Sequence, residues 1–488
     1  MVRSMAVGRR RFLGLVGTAV AASALAACSS APGATSTSPA STTARASKSA
    51  PTPAPPSTPA ATKAAPANTP VATVAVKPAA TAAPASTGPV SVTLWHGNSG
   101  VLGTELQKMG DQFDKSQQKV AVKLVFAGDY NALNQKLLAA IQAGTPPDIT
   151  QAGNNSFIAS YLAAGAVAPI ADFVNGPEGL SKDSLDDIYP GFIEDNTFDY
   201  QGKPTLVSWP FNKSDEVLYY NRDLLKGIGI ADAPATWDDF VADCQKVTAS
   251  GKSKGLAWTP ASDLFTAMLY AYGGQPYDPD TKKIAFQSDA GVKALTMLTD
   301  LIKSGNAYVT KSYDWQADFE HSKSAFALST IVSRAYIEKD LQGQSGGFYL
   351  GIGPLPKGTQ PATVLFGSNG VIMAKVPDAE KEGAWAFMKW YTDSEQTAQW
   401  SLASGYMPVR KSALDTDVMK KAIAEDPRRA VAIQELDFVH PWQPNIAAWT
   451  EVDRDLTDAI TASLLGKSTP ADALNQAAKK GDSALLAG

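Results

Sequence analysis

Metal and thiol chemistry have few residues to draw on in this 488-residue chain: three histidines and two cysteines. His96, His321 and His440 stand far apart, with none of the short spacings that gather a metal ion. Two cysteines, Cys28 and Cys244, cannot build a disulfide framework. Cys244 lies between Val241 and Val247 in a helical pattern, where a small buried hydrophobe is expected. No His-Glu-x-x-His run supplies a zinc-binding helix. Acids are plentiful, but glycoside hydrolysis needs two carboxyl groups held ~5–9 Å apart, a pairing that sequence alone does not display. Cys28 is placed differently. Leu25-Ala26-Ala27 lead up to it and Ser29-Ser30 follow, a run of small residues around one thiol.

Residues 1–28 set up that thiol. Arg9-Arg10-Arg11-Phe12-Leu13 precedes an apolar, Ala- and Gly-rich run from Leu13 to Ala27. A positive stretch ahead of ~7–15 apolar residues is a secretory signal, too short for a stable membrane span. The Arg-Arg-x-Phe-Leu order resembles a twin-arginine signal, and Leu25-Ala26-Ala27-Cys28 resembles a bacterial lipobox. The second resemblance implies cleavage before Cys28 and acylation at it, where two or more chains anchor stably and one does not. The alternative is a plain thiol beside a cleavage site. Residues 29–89 follow with 12 Pro and no aromatic or acidic residue. Such a segment cannot offset its ordering entropy by burying apolar surface, so a disordered tether is expected. Its reach is roughly 40 Å as a coil and at most ~190 Å as polyproline II.

The body begins near Val90 and differs in charge. Residues 1–89 hold eight Lys or Arg and no acid, whereas 90–488 hold 35 basic against 47 acidic residues, a net of −12. An acidic body argues against nucleic acid as a partner, because phosphates need a basic face. Val90, Val92 and Leu94 alternate as a strand, and Leu102, Leu106, Met109 and Phe113 follow at helical spacing. Val120, Val122, Leu124 and Phe126 make a second strand, and Leu133, Leu137, Leu138 and Ile141 a second helix. Gly144-Thr145-Pro146-Pro147-Asp148-Ile149 turns into a third strand. The order implies parallel β-α-β units, whose ligands bind beyond the carboxyl ends of the strands. Val217–Asn221 reads as a strand and Thr236-Trp237-Asp238-Asp239 as a capping-box helix start. Residues 290–304 read as a helix, Ala325–Leu328 as a buried strand, and 380–392 and 395–402 as further helices. Val452, Leu456 and Ile460 mark a closing helix. Nearly 400 residues of this pattern exceed one core and imply two lobes.

From Val90 to about Leu486 the chain resembles the extracellular solute-binding proteins of ABC importers, in the carbohydrate branch that includes maltose- and glycerol-3-phosphate-binding proteins. The residues carrying the resemblance are Val92-Thr93-Leu94-Trp95-His96, Gly144-Thr145-x-Pro147-Asp148, Pro210-Phe211-Asn212, Leu218-Tyr219-Tyr220-Asn221, Thr236-Trp237, Gly405-Tyr406-Met407-Pro408 and Thr469-Pro470-x-x-Ala473-Leu474. It implies an α/β, two-lobed periplasmic-binding-protein-like fold with three interlobe crossings and a ligand cleft at the hinge. The crossings are expected near 210–216, 354–364 and 392–398. Lobe one is then about 90–212 plus 360–394, and lobe two about 213–359 plus 395–488. Closure around a ligand is a population shift that a permease recognises.

The glycerophosphate branch implies ligand-binding positions one by one. Its tyrosine after the second strand matches Tyr130, and its acid after the third falls at Asn154, a neutral amide. Its serine past the Phe-Asn pair matches Ser214, and a later serine becomes Thr330. Gly367 and Tyr406 match directly, and a cleft tryptophan corresponds loosely to Trp258. A phosphate-pairing arginine falls at Trp449. Losing that charged fork implies a neutral ligand, with Tyr130, Trp258, Tyr406 and Trp449 as platforms for sugar rings. Trp95, Trp237, Trp385 and Trp390 lie in strand or helix patterns and are expected in the core.

The resemblance therefore implies an exported, lipid-anchored, monomeric binder of a sugar, oligosaccharide or glycoside, serving permease subunits, with no enzymatic activity, cofactor or metal. A glycerol-3-phosphate or glycerophosphodiester binder of the same fold, an exported glycoside hydrolase, and a receptor feeding a sensor kinase are the alternatives. If Cys28 carries lipid, Cys28→Ser moves the protein from the membrane fraction to the medium or periplasm. Fractionation and immunoblotting read this directly, and unchanged membrane association would contradict the lipobox reading.

Overall fold

The computed structural model describes residues 88–344 and 347–487. The expected signal, Cys28 and all but the last two residues of the expected tether lie outside that range. Strand β1 (Val90–His96), helix α1 (Gly100–Ser116), strand β2 (Val120–Phe126), helix α2 (Tyr130–Ala143) and strand β3 (Ile149–Ala152) follow the expected order. Side chains of β1 alternate as a sheet with one buried face requires, with Val92 and Leu94 fully buried and Ser91 exposed. Helix α1 turns Leu106, Met109 and Phe113 inward. The Asp129 carboxylate caps α2 by accepting from the Ala132 N–H at 2.9 Å, and Gly144, at φ 73°, ends it. Both β2 and β3 pair in parallel with β1, aligning Leu94 with Leu124 and with Ile149.

Helix α3 (Asn155–Ala163) follows β3, and β4 (Trp209–Asn221) is a 13-residue strand. Helix α4 (Trp237–Ala249) starts on the expected capping box, in which Thr236 and Asp239 bond reciprocally. Strand β5 (Lys254–Trp258), helices α5 (Ser262–Ala271) and α6 (Asp289–Lys303), and strands β6 (Ala307–Val309), β7 (Ser324–Thr330) and β8 (Leu350–Gly353) build the second half. Strand β9 (Thr363–Met373) returns to the first half, followed by α7 (Asp378–Tyr391) and α8 (Ser394–Ser404). Strand β10 (Val439–Pro441) and helices α9 (Trp449–Leu464) and α10 (Pro470–Ala487) close the chain. An 11-stranded sheet runs β6-β5-β7-β4-β9-β3-β1-β2, with β8 on β4, and with β10 and the two-residue strand Val167–Ala168 both on β9.

Two features depart from the expected parallel β-α-β pattern. Strand β9 is antiparallel to β3, and β4 is antiparallel to β7, β8 and β9, so the sheet is mixed. The cause is direction of entry. The first residues of β9 pair beside β4 at Asp215, and its last run along β3 to Ile149, so it points against the strands that leave the first half. Helix α8 also rests on α1, where Gln399 Nε2 donates to Glu105 Oε1 at 3.0 Å, so the segment beyond 395 does not pass at once to lobe two. The short turn at Asp393 between α7 and α8 leaves no length for such a passage.

Strand β4 changes partners along its length. Residues 209–215 pair with β9, and 216–220 pair with β7. One apolar cluster lies on the far side of that exchange, around Phe240, Leu256, Phe265, Leu295 and Leu456; another surrounds β1, α1 and α7. Near the exchange, Gly367 adopts φ 124°, and a Cβ there would overlap the Asn212 carbonyl oxygen. Only glycine tolerates both the dihedral and the approach. Gly367→Ala is therefore expected to lower stability by roughly 2 kcal/mol or more. The midpoint of urea unfolding measures it; a shift under ~0.5 kcal/mol would show that the strand relaxes freely.

Candidate functional site

The carboxyl ends of β1, β2 and β3 lead into Gly97-Asn98, Gly128-Asp129-Tyr130 and Gly153-Asn154, the end of an open sheet at which ligands bind. Tyr130 organises this rim. Its ring packs so closely on Gly97 and Gly153 that a Cβ at either would crowd it. Its hydroxyl accepts from Asn212 Nδ2 at 3.4 Å and meets Ser368 and Tyr406. Burial pushes both phenols above the ordinary tyrosine range, and the neighbouring hydroxyl of Tyr130 adds to the effect on Tyr406. Both therefore stay neutral donors and acceptors. Tyr406 also stacks on Trp400, with ring centroids 6.3 Å apart and planes 7° apart.

Beside this group lies a pocket with about 290 Å³ of empty space, part of it open to solvent. Asn154, Lys213, Phe366, Gly367, Trp442 and Gln443 are among the residues lining it. Asn154 occupies the N-cap position of α3 without making a capping bond. Lys213, 1% exposed, is held in the wall: its Nζ donates to Asp195 Oδ2 and to Asn369 Oδ1, both at 2.6 Å. Burial lowers the Lys213 pKa and the Asp195 charge opposes that shift. Asn155 Nδ2 donates to Asp195 Oδ1 at 2.8 Å and to Asn445 Oδ1 at 2.7 Å, and Thr450 Oγ1 donates to Ser156 Oγ at 2.9 Å. These bonds join α3 to the segment around α9.

The expected site residues separate into two groups. Asn154 and Gly367 line the pocket, and Tyr130 and Tyr406 meet beside it. Ser214, 2% exposed, sits on β4 opposite Phe366, and Thr330 is half-buried at the end of β7, its carbonyl accepting the Tyr219 hydroxyl at 2.7 Å. Trp258 and Trp449 are corrections. They are 5% and 2% exposed and pack in the apolar cluster of the second half, so neither presents an open face to a ligand. Trp449 begins the buried stripe Trp449, Val452, Leu456, Ile460 of α9, and its indole meets the Tyr277 ring edge-on at 6.4 Å. Helical spacing places the indole with the core residues that follow it.

The aromatic wall comes instead from Trp442 and Phe366, whose ring centroids lie 4.9 Å apart. Trp442 directly follows the short β10, and its Nε1 donates to Ser262 Oγ at 3.2 Å. The sequence signal was slight: a Pro-Trp pair just after a three-residue strand. Gly251-Lys252-Ser253-Lys254-Gly255 carries the letters of a Gly-x-Ser-x-Gly elbow, but it joins α4 to β5. A nucleophile elbow turns from strand to helix, the opposite order.

A family model described as bacterial extracellular solute-binding protein matches residues 108–430. The glycerol-3-phosphate-binding periplasmic protein UgpB of Yersinia pseudotuberculosis is 24% identical over 412 residues, covering 80% of this chain and 91% of that one. The Brucella melitensis protein of the same name is 24% identical over 435 residues, covering 83% and 98%. Among solved structures, the cyclic alpha-maltosyl-1,6-maltose binding protein of Arthrobacter globiformis superposes with a TM-score of 0.72 at 23% identity, covering 82% of this chain and 100% of that one. UgpB of Mycobacterium tuberculosis in complex with glycerophosphocholine gives 0.69 at 23% identity, covering 82% and 99%. At that identity the superpositions establish the fold.

The Lys213–Asp195 pair makes the pocket wall sensitive to charge removal. Asp195→Asn leaves a buried ammonium without its counter-charge and is expected to cost ~3–5 kcal/mol in urea unfolding. Lys213→Met combined with Asp195→Leu should recover much of that loss. A double variant no more stable than Asp195→Asn alone would mean that the pair is not acting as a pair.

Proposed function

We propose that this chain, which belongs to the bacterial extracellular solute-binding protein family, captures a sugar, oligosaccharide or glycoside in the pocket beside Tyr130 and hands it to the permease of an ABC importer. Its role is binding in transport rather than catalysis, outside the cytoplasm. The observation that carries the ligand class is the charge of the pocket wall. Lys213 is the only cation among the residues lining it, and that ammonium is engaged by Asp195 and Asn369. A phosphate dianion calls for an unengaged Arg fork or Lys. Trp442 and Phe366 instead provide flat apolar faces suited to the C–H side of a pyranose, with Asn154 and Gln443 able to bond its hydroxyls. Tyr130 and Tyr406 extend that polar rim. Ser214 and Thr330, which lie outside the pocket lining, are kept as further polar candidates.

The second reading is a glycerol-3-phosphate or glycerophosphodiester binder, favoured by the names of the curated relatives and by the glycerophosphocholine complex. It requires a phosphate partner that the pocket lining does not supply. Two lobes, crossings near 210–216 and 354–364, and a closing cleft remain part of our reading; the crossing expected near 392–398 does not, because α8 rests on α1. The change of partners along β4 supports the first crossing. In this reading Asn155–Asn445 and Ser156–Thr450 part as the lobes open. Lipid on Cys28 and the 29–89 tether hold a monomeric body near the permease.

Calorimetry and small-angle scattering test the proposal together. The matching saccharide should bind, reduce the radius of gyration, and be recovered intact by mass spectrometry. Trp442→Ala should weaken it at least tenfold, since 1.4 kcal/mol is a decade and losing a half-buried aromatic face against the ligand costs about that or more. Tight binding of glycerol 3-phosphate with no response to any sugar would overturn the ligand class.

A further inference from the structure

Five carboxyl groups lie in succession along the region where β4 changes partners, each within electrostatic reach of the next: Glu435, then Asp215 and Glu216 on β4, Asp263 at the start of α5, and Asp453 on α9. Asp215, Glu216 and Glu435 are 0%, 4% and 1% exposed; Asp263 and Asp453 are half-buried. Mutual repulsion is part of their environment. Burial and then Asp263 raise the Glu216 pKa, burial and then Glu435 raise that of Asp215, and burial holds Asp263 at about 6 with the Asp453 charge adding to the shift. Among the described residues none of the five is in an ion pair, whereas the nearby buried cations Lys213 and Arg334 are engaged by other acids. Burial keeps the innermost of these acids protonated, whereas Asp263 and Asp453, half-buried at the edge, are the ones that a cation can meet.

The cluster connects to the pocket. Ser262 Oγ donates to the Asp453 carboxylate and accepts from Trp442 Nε1, and Asp453 is also bonded by Gln443. Gln443 lines the pocket at 4% exposure, and its side-chain oxygen has no hydrogen-bond partner. A buried, vacant acceptor beside a carboxylate and an indole face lacks a donor, and a cationic donor satisfies all three at once. A metal ion is the poorer candidate, because among the described residues no three His, Cys, Asp or Glu side chains converge as a site.

We propose that the solute carries a positively charged nitrogen, as an amino sugar or amine-bearing glycoside does, and that Asp263 and Asp453 hold this group against Trp442 beside Gln443. The inference rests on the pocket being the solute site. It adds the sign of the ligand's charge to the saccharide reading.

The test uses the purified full chain in calorimetry against matched probes. Glucose, glucosamine and N-acetylglucosamine, the corresponding galacto series and their β-1,4-linked oligomers differ in charge at one position, and choline supplies a cation without a sugar. The expected result is at least tenfold tighter binding of an amino sugar than of its hydroxyl and N-acetyl counterparts, a preference that shrinks at high salt. Asp453→Asn should reduce the preference for the amino sugar over its hydroxyl counterpart about tenfold. Asp263→Asn provides the same comparison if Asp453→Asn does not fold. Neutral sugars binding as tightly as their amines would overturn the inference and leave the saccharide reading standing. Choline binding without any sugar would overturn the saccharide reading and keep the cation. No binding in any series would overturn both, as would a preference intact in both Asp variants for the roles assigned to them.

Discussion

The buried Lys213 ammonium is the constraint around which the middle of the molecule is arranged. Its side chain is 1% exposed, so its charge must be answered within the protein, and Asp195 and Asn369 answer it at 2.6 Å each. Asp195 is bonded in turn by Asn155, at the start of α3, and Asn155 reaches Asn445. One cation thereby ties together β4, β9, α3 and the segment leading to α9. The same bonds remove Lys213 from the list of groups able to meet an anionic solute. A structural requirement and a ligand preference thus follow from one pair.

Position relative to the sheet explains why the pocket forms where it does. Strand β4 pairs with β9 through Asp215 and with β7 from Glu216 onward. At such an exchange the backbone is hydrogen-bonded on different sides in succession, and side chains from both halves converge. Gly367 lets β9 approach the Asn212 carbonyl without a Cβ between them, and this brings Phe366 beside Trp442. Replacement of that glycine would strain the wall of the pocket as well as the strand.

Much of the first half was legible in the sequence because short-range patterns determine it. Alternation in Val90–Leu94, the helical spacing from Leu102 to Phe113 and the Thr236 capping box all appear as written. The mixed direction of the sheet was not legible, since strand orientation depends on where β9 enters and not on its local composition. The site was legible in part. Tyr130 and Asn154, placed by the family resemblance, follow β2 and β3, whereas Gly367 lies within β9. Trp449 was misread by matching a position and overlooking a period: its spacing to Val452, Leu456 and Ile460 is that of a buried helix face. Trp442 left almost no trace, because a platform following a three-residue strand has no periodicity to announce it.

The two charged sides of the junction complement one another. On the side of β9, Lys213 and Asp195 form a closed pair whose net charge is zero. On the side of α5 and α9, Asp263 and Asp453 have hydroxyl and amide partners but, among the described residues, no cation. Hydrogen bonds from Ser262 and Gln443 lower the cost of burying Asp453 without cancelling its charge. A field left negative on one side and neutral on the other disfavours phosphate and favours a donor-rich or cationic solute, whichever ring carries it. Trp442 stands between the two sides, lining the pocket on one face and donating to Ser262 from its indole nitrogen. Its position lets a single side chain offer an apolar surface to the solute while its hydrogen bond orients the hydroxyl that reaches the acids.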